Sequence, residues 1–205
     1  MKSRFALGLL LLGCGTEVVS GLSRQLVRQL NCLRSGLFTD LNSLSRVSLS
    51  TAAAAVPYLQ TSAASALQRA VNQRGVTMTI NSALRTLPQQ LMLYTWMLRK
   101  QCRITAAAQP GKSNHNGGLA VDIQDANSWK TAMTNNGWTK LGDWDPMHYD
   151  YNGGTDVRQL SVLAFQKLWN LNNPNNKLTE DGAYGSKTEN AILSSPVSGF
   201  AKTNC

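Results

Sequence analysis

Residues 113–123 read SNHNGGLAVDI, and the fold is decided by what this stretch can be. Residues 119–123 are apolar apart from one acid, which reads as a short strand, and Gly117 and Gly118 allow a tight turn leading into it. His115 and Asp122 stand seven residues apart across that turn, so both side chains can return to one spot. Working upstream, Val76, Met78 and Ile80 alternate with Thr77, Thr79 and Asn81, the pattern of a half-buried strand. A helix is predicted over 61–72 with Gly75 as its stop, and Pro88 opens a second helix that runs through Leu91, Leu93, Trp96 and Met97 to Cys102. Downstream, a helix over 128–134 separates the first strand from another at 146–151. This order predicts an α+β fold, a small antiparallel sheet with flanking helices carrying the site, and Trp129 and Trp138 read as its core.

The flanks read differently. Residues 1–20 carry Lys2 and Arg4 ahead of an apolar run from Phe5 to Leu12, the order of a secretory signal, and Leu11-Leu12-Gly13-Cys14 resembles a bacterial lipobox. The expectation is export to the cell envelope or periplasm, with lipid anchoring to a membrane at Cys14 or cleavage near Ser20 and free secretion. The apolar run is shorter than the roughly 20 residues a membrane-spanning helix needs. Residues 21–55 read as a helical and linker segment. In it Leu22, Leu26, Val27, Leu30 and Leu33 keep helical spacing with Arg24, Arg28 and Arg34 interleaved, a basic amphipathic helix that either lies on an anionic membrane or, the preferred reading, packs on the protein with its arginines in solvent, and 48–56 is an Ala-rich link. The catalytic domain is expected over 56–152. Past Gly153-Gly154 the composition shifts, and 153–205 is expected to be a small all-helical C-terminal module with helices over 157–171 and 187–193. Without Cys14, three cysteines remain, which allows one disulfide and one free thiol; none sits in a CxxC pair or beside a histidine, so cysteine ligation of a metal is not expected.

Charge narrows the partners. Lys and Arg number 20 against 11 acidic residues, a formal charge of +9, while charged residues make up only 15% of the chain. The positive charge lies in the amino-terminal half, 1–121, and no DNA-binding motif accompanies it, so nucleic acid is excluded in favour of an anionic envelope polymer or membrane.

The chain has two histidines, both in dense polar motifs: His115 in the stretch quoted above, and His148 in Trp144-Asp-Pro-Met-His-Tyr-Asp150. Two imidazoles and one carboxylate with an open fourth position are what a catalytic zinc needs, because the vacancy holds the attacking water. Neither motif offers a thiolate, which argues against a closed structural site.

SNHNGGLAVDI resembles the S-x-H-x-x-G-x-A-x-D signature of the zinc D-alanyl-D-alanine carboxypeptidases and L-alanyl-D-glutamate endopeptidases. The resemblance implies Zn2+ on His115, Asp122 and His148, with Asp145 of the Asp145-Pro-Met-His148 motif as general base, ahead of Asp143. Residues 81–90, NSALRTLPQQ, are similar to the family's S-x-Y-R-S-x-x-x-Q stretch, which implies that Arg85 holds the scissile carbonyl oxygen; Leu84 and Thr86 depart from that pattern. Residues 163–169, LAFQKLW, followed by 181–192, DGAYGSKTENAI, resemble the small helical peptidoglycan-binding domain. Together these imply a peptidase of bacterial peptidoglycan stem peptides, first a D-alanyl-D-alanine carboxypeptidase. The alternatives are an L-alanyl-D-glutamate endopeptidase, toward which the D-x-x-H form leans, and a non-catalytic peptidoglycan-binding lipoprotein.

Overall fold

A computed structural model describes residues 20–203 and 205; the apolar run from Phe5 to Leu12 and Cys14 lie outside them. In chain order the elements are α1 (Ser20–Leu33), β1 (Phe38–Asp40), β2 (Val47–Leu49), α2 (Thr51–Ala55), β3 (Tyr58–Gln60), α3 (Thr61–Arg74), β4 (Met78–Ser82), α4 (Leu87–Leu98), β5 (Ala120–Ile123), α5 (Ala126–Asn135), β6 (Trp138–Lys140), β7 (His148–Tyr151), α6 (Arg158–Asn172) and α7 (Ser186–Leu193). Short 3-10 turns cover Leu41–Ser43 and Asn114–Gly117. The described residues form two compact units, a sheet unit of 36–85 and 117–156, and a helical unit of 20–35, 86–116, 157–203 and 205.

The sheet unit holds a five-stranded sheet in the order β2-β4-β5-β7-β6. Four of its strands are antiparallel as expected, and the fifth, β2, runs parallel to β4. Residues 48–56 are thus no linker. Three residues cannot display a period, but Val47 and Leu49 pack on the core while Ser48 is exposed, and Ser50 then caps α2 by accepting from the Ala53 N–H. α3 covers one face of the sheet with Ala63, Ala64, Ala66, Leu67, Ala70 and Val71, small side chains that let the helix lie close. Burial of Leu67 alone contributes roughly 1.5–3 kcal/mol. Gly75 ends this helix in the left-handed region at φ +75, and its N–H reaches Val71 O. Met78, Ile80, Val121, Ile123 and Tyr149 meet α3 and α5 from the sheet, and Trp129 and Trp138 are buried with them, as the sequence predicts. The opposite face of β5 and β7 is left for Asp122 and His148.

In the helical unit, Leu22, Leu26 and Leu30 of α1 are buried and Arg24 and Arg28 are exposed, which matches the expected packing. Phe165, Leu168 and Ile192 of α6 and α7 share one core with Leu22 and Leu26 of α1 and Leu87 and Leu91 of α4. The residues expected as a C-terminal module therefore bury their apolar faces against the earlier helices. So short a segment has little core of its own. Gln166 explains part of its motif. Its amide donates to Asp181 Oδ1 (2.8 Å) and accepts from the Gly182 N–H (2.9 Å), which staples the Asp181-Gly182 turn to α6.

α4 begins with a capping box between Thr86 and Gln89, but it stops at Leu98 rather than Cys102. Lys100, Cys102 and Arg103 adopt positive φ there, which a continuing helix cannot hold. Cys32 is bonded to Cys205, and Cys102 is also in disulfide form, so no described cysteine is the free thiol that the count allowed. No helix among the described residues is long and apolar enough to cross a membrane.

Candidate metal centre

Strand alternation builds the site. Val121 and Ile123 of β5 turn into the core, so Asp122 between them faces the other way, opposite His148 of β7 in the antiparallel register. On β7 the same alternation sends Tyr149 inward, where it is fully buried and its hydroxyl donates to Ala126 O at 2.7 Å, while His148 and Asp150 share the opposite face. Tyr149 is thus a core residue of the sheet.

His115 stands on the Asn114–Gly117 turn and is fully buried. Asn116 fixes this turn, its N–H donating to Ser113 O and its Oδ1 accepting from the Gly111 N–H at 3.0 Å. The next step of chain is gripped by Gln60, a residue the sequence reading passes over. Its side-chain amide donates to Gly117 O (2.7 Å) and Thr155 O (2.7 Å), and its backbone N–H donates to Gly118 O. Gly118 needs its missing side chain, since at φ +68 a Cβ would lie 2.7 Å from the Phe38 ring.

The turn and the two strands bring His115, Asp122 and His148 together, with one ligand atom from each within 4.8 Å of the others. All three are buried, at 0%, 9% and 8% exposure. Asp122 Oδ1 and His148 Nδ1 are 3.1 Å apart, close to the roughly 3.4 Å that separates neighbouring ligands on a tetrahedral ion with bonds near 2.1 Å. Two imidazoles, one carboxylate and no thiolate fit a single borderline cation such as zinc.

Charged neighbours complete the group. Arg85 is ion-paired with Asp122 Oδ2 and donates from Nε to Ser82 Oγ (2.9 Å), so the end of β4 fixes the guanidinium beside the carboxylate. Asp145 Oδ2 lies 3.9 Å from His148 Nδ1, whereas Asp143 is exposed. Asp150 Oδ1 is 2.8 Å from His148 Nε2. Burial disfavours a charged His148, but hydrogen bonds to Asp122 and Asp150 outweigh it and push the imidazole up to about 9 in the metal-free protein. Burial and the nearby Asp122 raise the Asp145 carboxyl above its ordinary value, against the opposing pull of His148 and Arg85.

A buried His, Asp and His with an acid beside them form a candidate hydrolytic metal centre. Residues 57–152, which contain all of these side chains, match the family model of VanY, a D-alanyl-D-alanine carboxypeptidase. The match supports a metallopeptidase of that type acting on peptidoglycan, and it ends before residues 153–205. A search of curated proteins finds no match to the chain.

Proposed function

We propose that this chain is a zinc-dependent D-alanyl-D-alanine carboxypeptidase that trims the stem peptides of peptidoglycan. The observation that carries the reading is the buried convergence of His115, Asp122 and His148 with Asp145 alongside, inside the segment matched to the carboxypeptidase family. Zinc held by the three ligands would polarise the scissile carbonyl and lower the pKa of a water in the open position. Asp145 takes the proton of the attacking water and delivers it to the leaving amine. Arg85, fixed by Ser82 and Asp122, sets a positive charge where negative charge builds on the carbonyl oxygen. Residues 153–205 are proposed to bind the glycan of the same polymer. The amino-terminal segment is proposed to direct export, with Cys14 as a lipid anchor.

The Asp145-Pro-Met-His148 form favours a second reading, an L-alanyl-D-glutamate endopeptidase. Digestion of purified peptidoglycan by the zinc-loaded chain separates the two. Free D-alanine supports the carboxypeptidase, a new glutamate amino terminus supports the endopeptidase, and no release from any wall type sinks both. Asp145→Ala should lower hydrolysis by about 10²–10⁴ with zinc still bound. Undiminished hydrolysis would remove Asp145 from its role.

A further inference from the structure

We propose that Asp150 is a positioning residue for metal binding, holding the Nε2 edge of His148 so that the ring presents Nδ1 to the ion. This rests on the metal-centre reading above. An imidazole ligates through one nitrogen, and the hydrogen bond made by the other sets which one it is. Here the two edges are already distinguished. Nδ1 faces Asp122, a member of the ligand group, at 3.1 Å, and Nε2 faces Asp150 at 2.8 Å.

The strand makes this arrangement rigid. His148 and Asp150 are two residues apart on β7 and project from one face, while Tyr149 between them is tied into the core through Ala126 O. The backbone is also fixed on both sides, since β7 pairs with β5 at Asp122↔His148 and Ala120↔Asp150, and with β6 at Thr139↔Asp150. Rotating the ring by half a turn would set Cε1 against Asp150 and Cδ2 against Asp122, losing both contacts. A carboxylate on the far nitrogen also makes the ring a better donor to a cation. Asp150 therefore selects the ligating atom and strengthens it without touching the ion.

The test is zinc affinity of the full chain, measured by competition with a chromophoric chelator, for the wild type, Asp150→Ala and Asp150→Asn. Asp150→Ala should bind zinc about 10–100-fold more weakly while the metal-free chain still unfolds cooperatively. Asp150→Asn, which keeps a neutral acceptor at the same place, should recover part of the loss. A ring-nitrogen NMR spectrum of the zinc-loaded wild type should show His148 ligating through Nδ1. Wild-type affinity in Asp150→Ala, or ligation through Nε2, overturns the inference while leaving the metal centre standing. Where the alanine variant does not fold, Asp150→Asn decides, since affinity equal to the wild type overturns the proposal. A wild-type chain that takes up no zinc removes both the inference and the reading beneath it.

Discussion

Asp122 has two oxygens with different neighbours, Oδ2 against Arg85 and Oδ1 against His148 Nδ1. With one oxygen held, the other is the one presented to a metal, so Arg85 orients a ligand as well as placing charge near the reacting carbonyl. A lysine could not do both, because one ammonium lacks the fork that reaches Ser82 and Asp122 together. Arg85→Lys should therefore fall nearly as far as Arg85→Ala, by about 10²–10³ in kcat on a soluble peptide ending in D-alanyl-D-alanine. Near-complete rescue by lysine would show that only the charge matters. Tyr149 sets a contrasting case. Tyr149→Phe removes the buried side-chain bond to Ala126 O and should cost about 0.5–1.5 kcal/mol in denaturant unfolding, with zinc affinity unchanged. At this scale the sequence was informative where residue types were scarce. Two histidines in 205 residues leave little choice of imidazoles. Asp150 was harder, because a His-x-Asp pair shares a face only once the strand and its phase are known.

Among the elements, the predicted helices and strands of the catalytic segment recur with shifted ends, since each carried either a period or a stop signal. Val76 belongs to the alternating pattern, yet the strand starts at Met78 and Val76 is exposed. β2 and α2 were not legible as part of the fold because a three-residue strand and a five-residue Ala-rich helix are specified by tertiary packing rather than by local pattern. The turn between His115 and β5 is the element on which the site depends most. Gly118→Ala would place a Cβ against Phe38 and the Gln60 backbone at a left-handed position, and should cost about 1–3 kcal/mol by thermal denaturation. It should also weaken zinc binding, since the turn joins two ligands; a variant with lower stability but full affinity would show that the turn relaxes without moving His115. The turn after α6 contributes to behaviour in acid. Hydrogen bonds from Lys167 and Asn170 lower the Glu180 carboxyl, and the Ala183 N–H and Gln166 lower Asp181. Depressed folded values stabilise the protein above the unfolded pKa, and this stabilisation disappears as pH falls through the folded values. The Tm of the chain should hold from pH 7 to about 5 and decline below about 4.5, and Glu180→Gln with Asp181→Asn should flatten that decline. An unaltered acid profile in the double variant would assign the effect to other carboxylates.

For the molecule as a whole, charge divides by compact unit as well as by position along the chain. Among the described residues, the helical unit holds 12 basic residues and 3 acidic ones, while the sheet unit, with the Asp122, Asp145 and Asp150 carboxylates, is close to neutral. The sequence shows the imbalance along the chain but not how it falls on the units, because the helical unit is assembled from three separated stretches that only long-range packing joins. A strongly basic body beside a nearly neutral one is the charge distribution expected of the proposed retention on an anionic wall polymer. Retention on anionic wall polymer should accordingly fall steeply as salt rises from about 50 to 500 mM, where the Debye length shrinks from roughly 14 to 4 Å. The exposed pair Arg24 and Arg28, one turn apart on α1, offers the cleanest test. Arg24→Glu with Arg28→Glu should reduce retention at low salt several-fold and leave hydrolysis of a soluble stem peptide at the wild-type rate. Equal retention of the double variant would mean that the charge on this helix serves solubility alone, and a matched loss of peptide hydrolysis would mean that the substitutions disturb the fold.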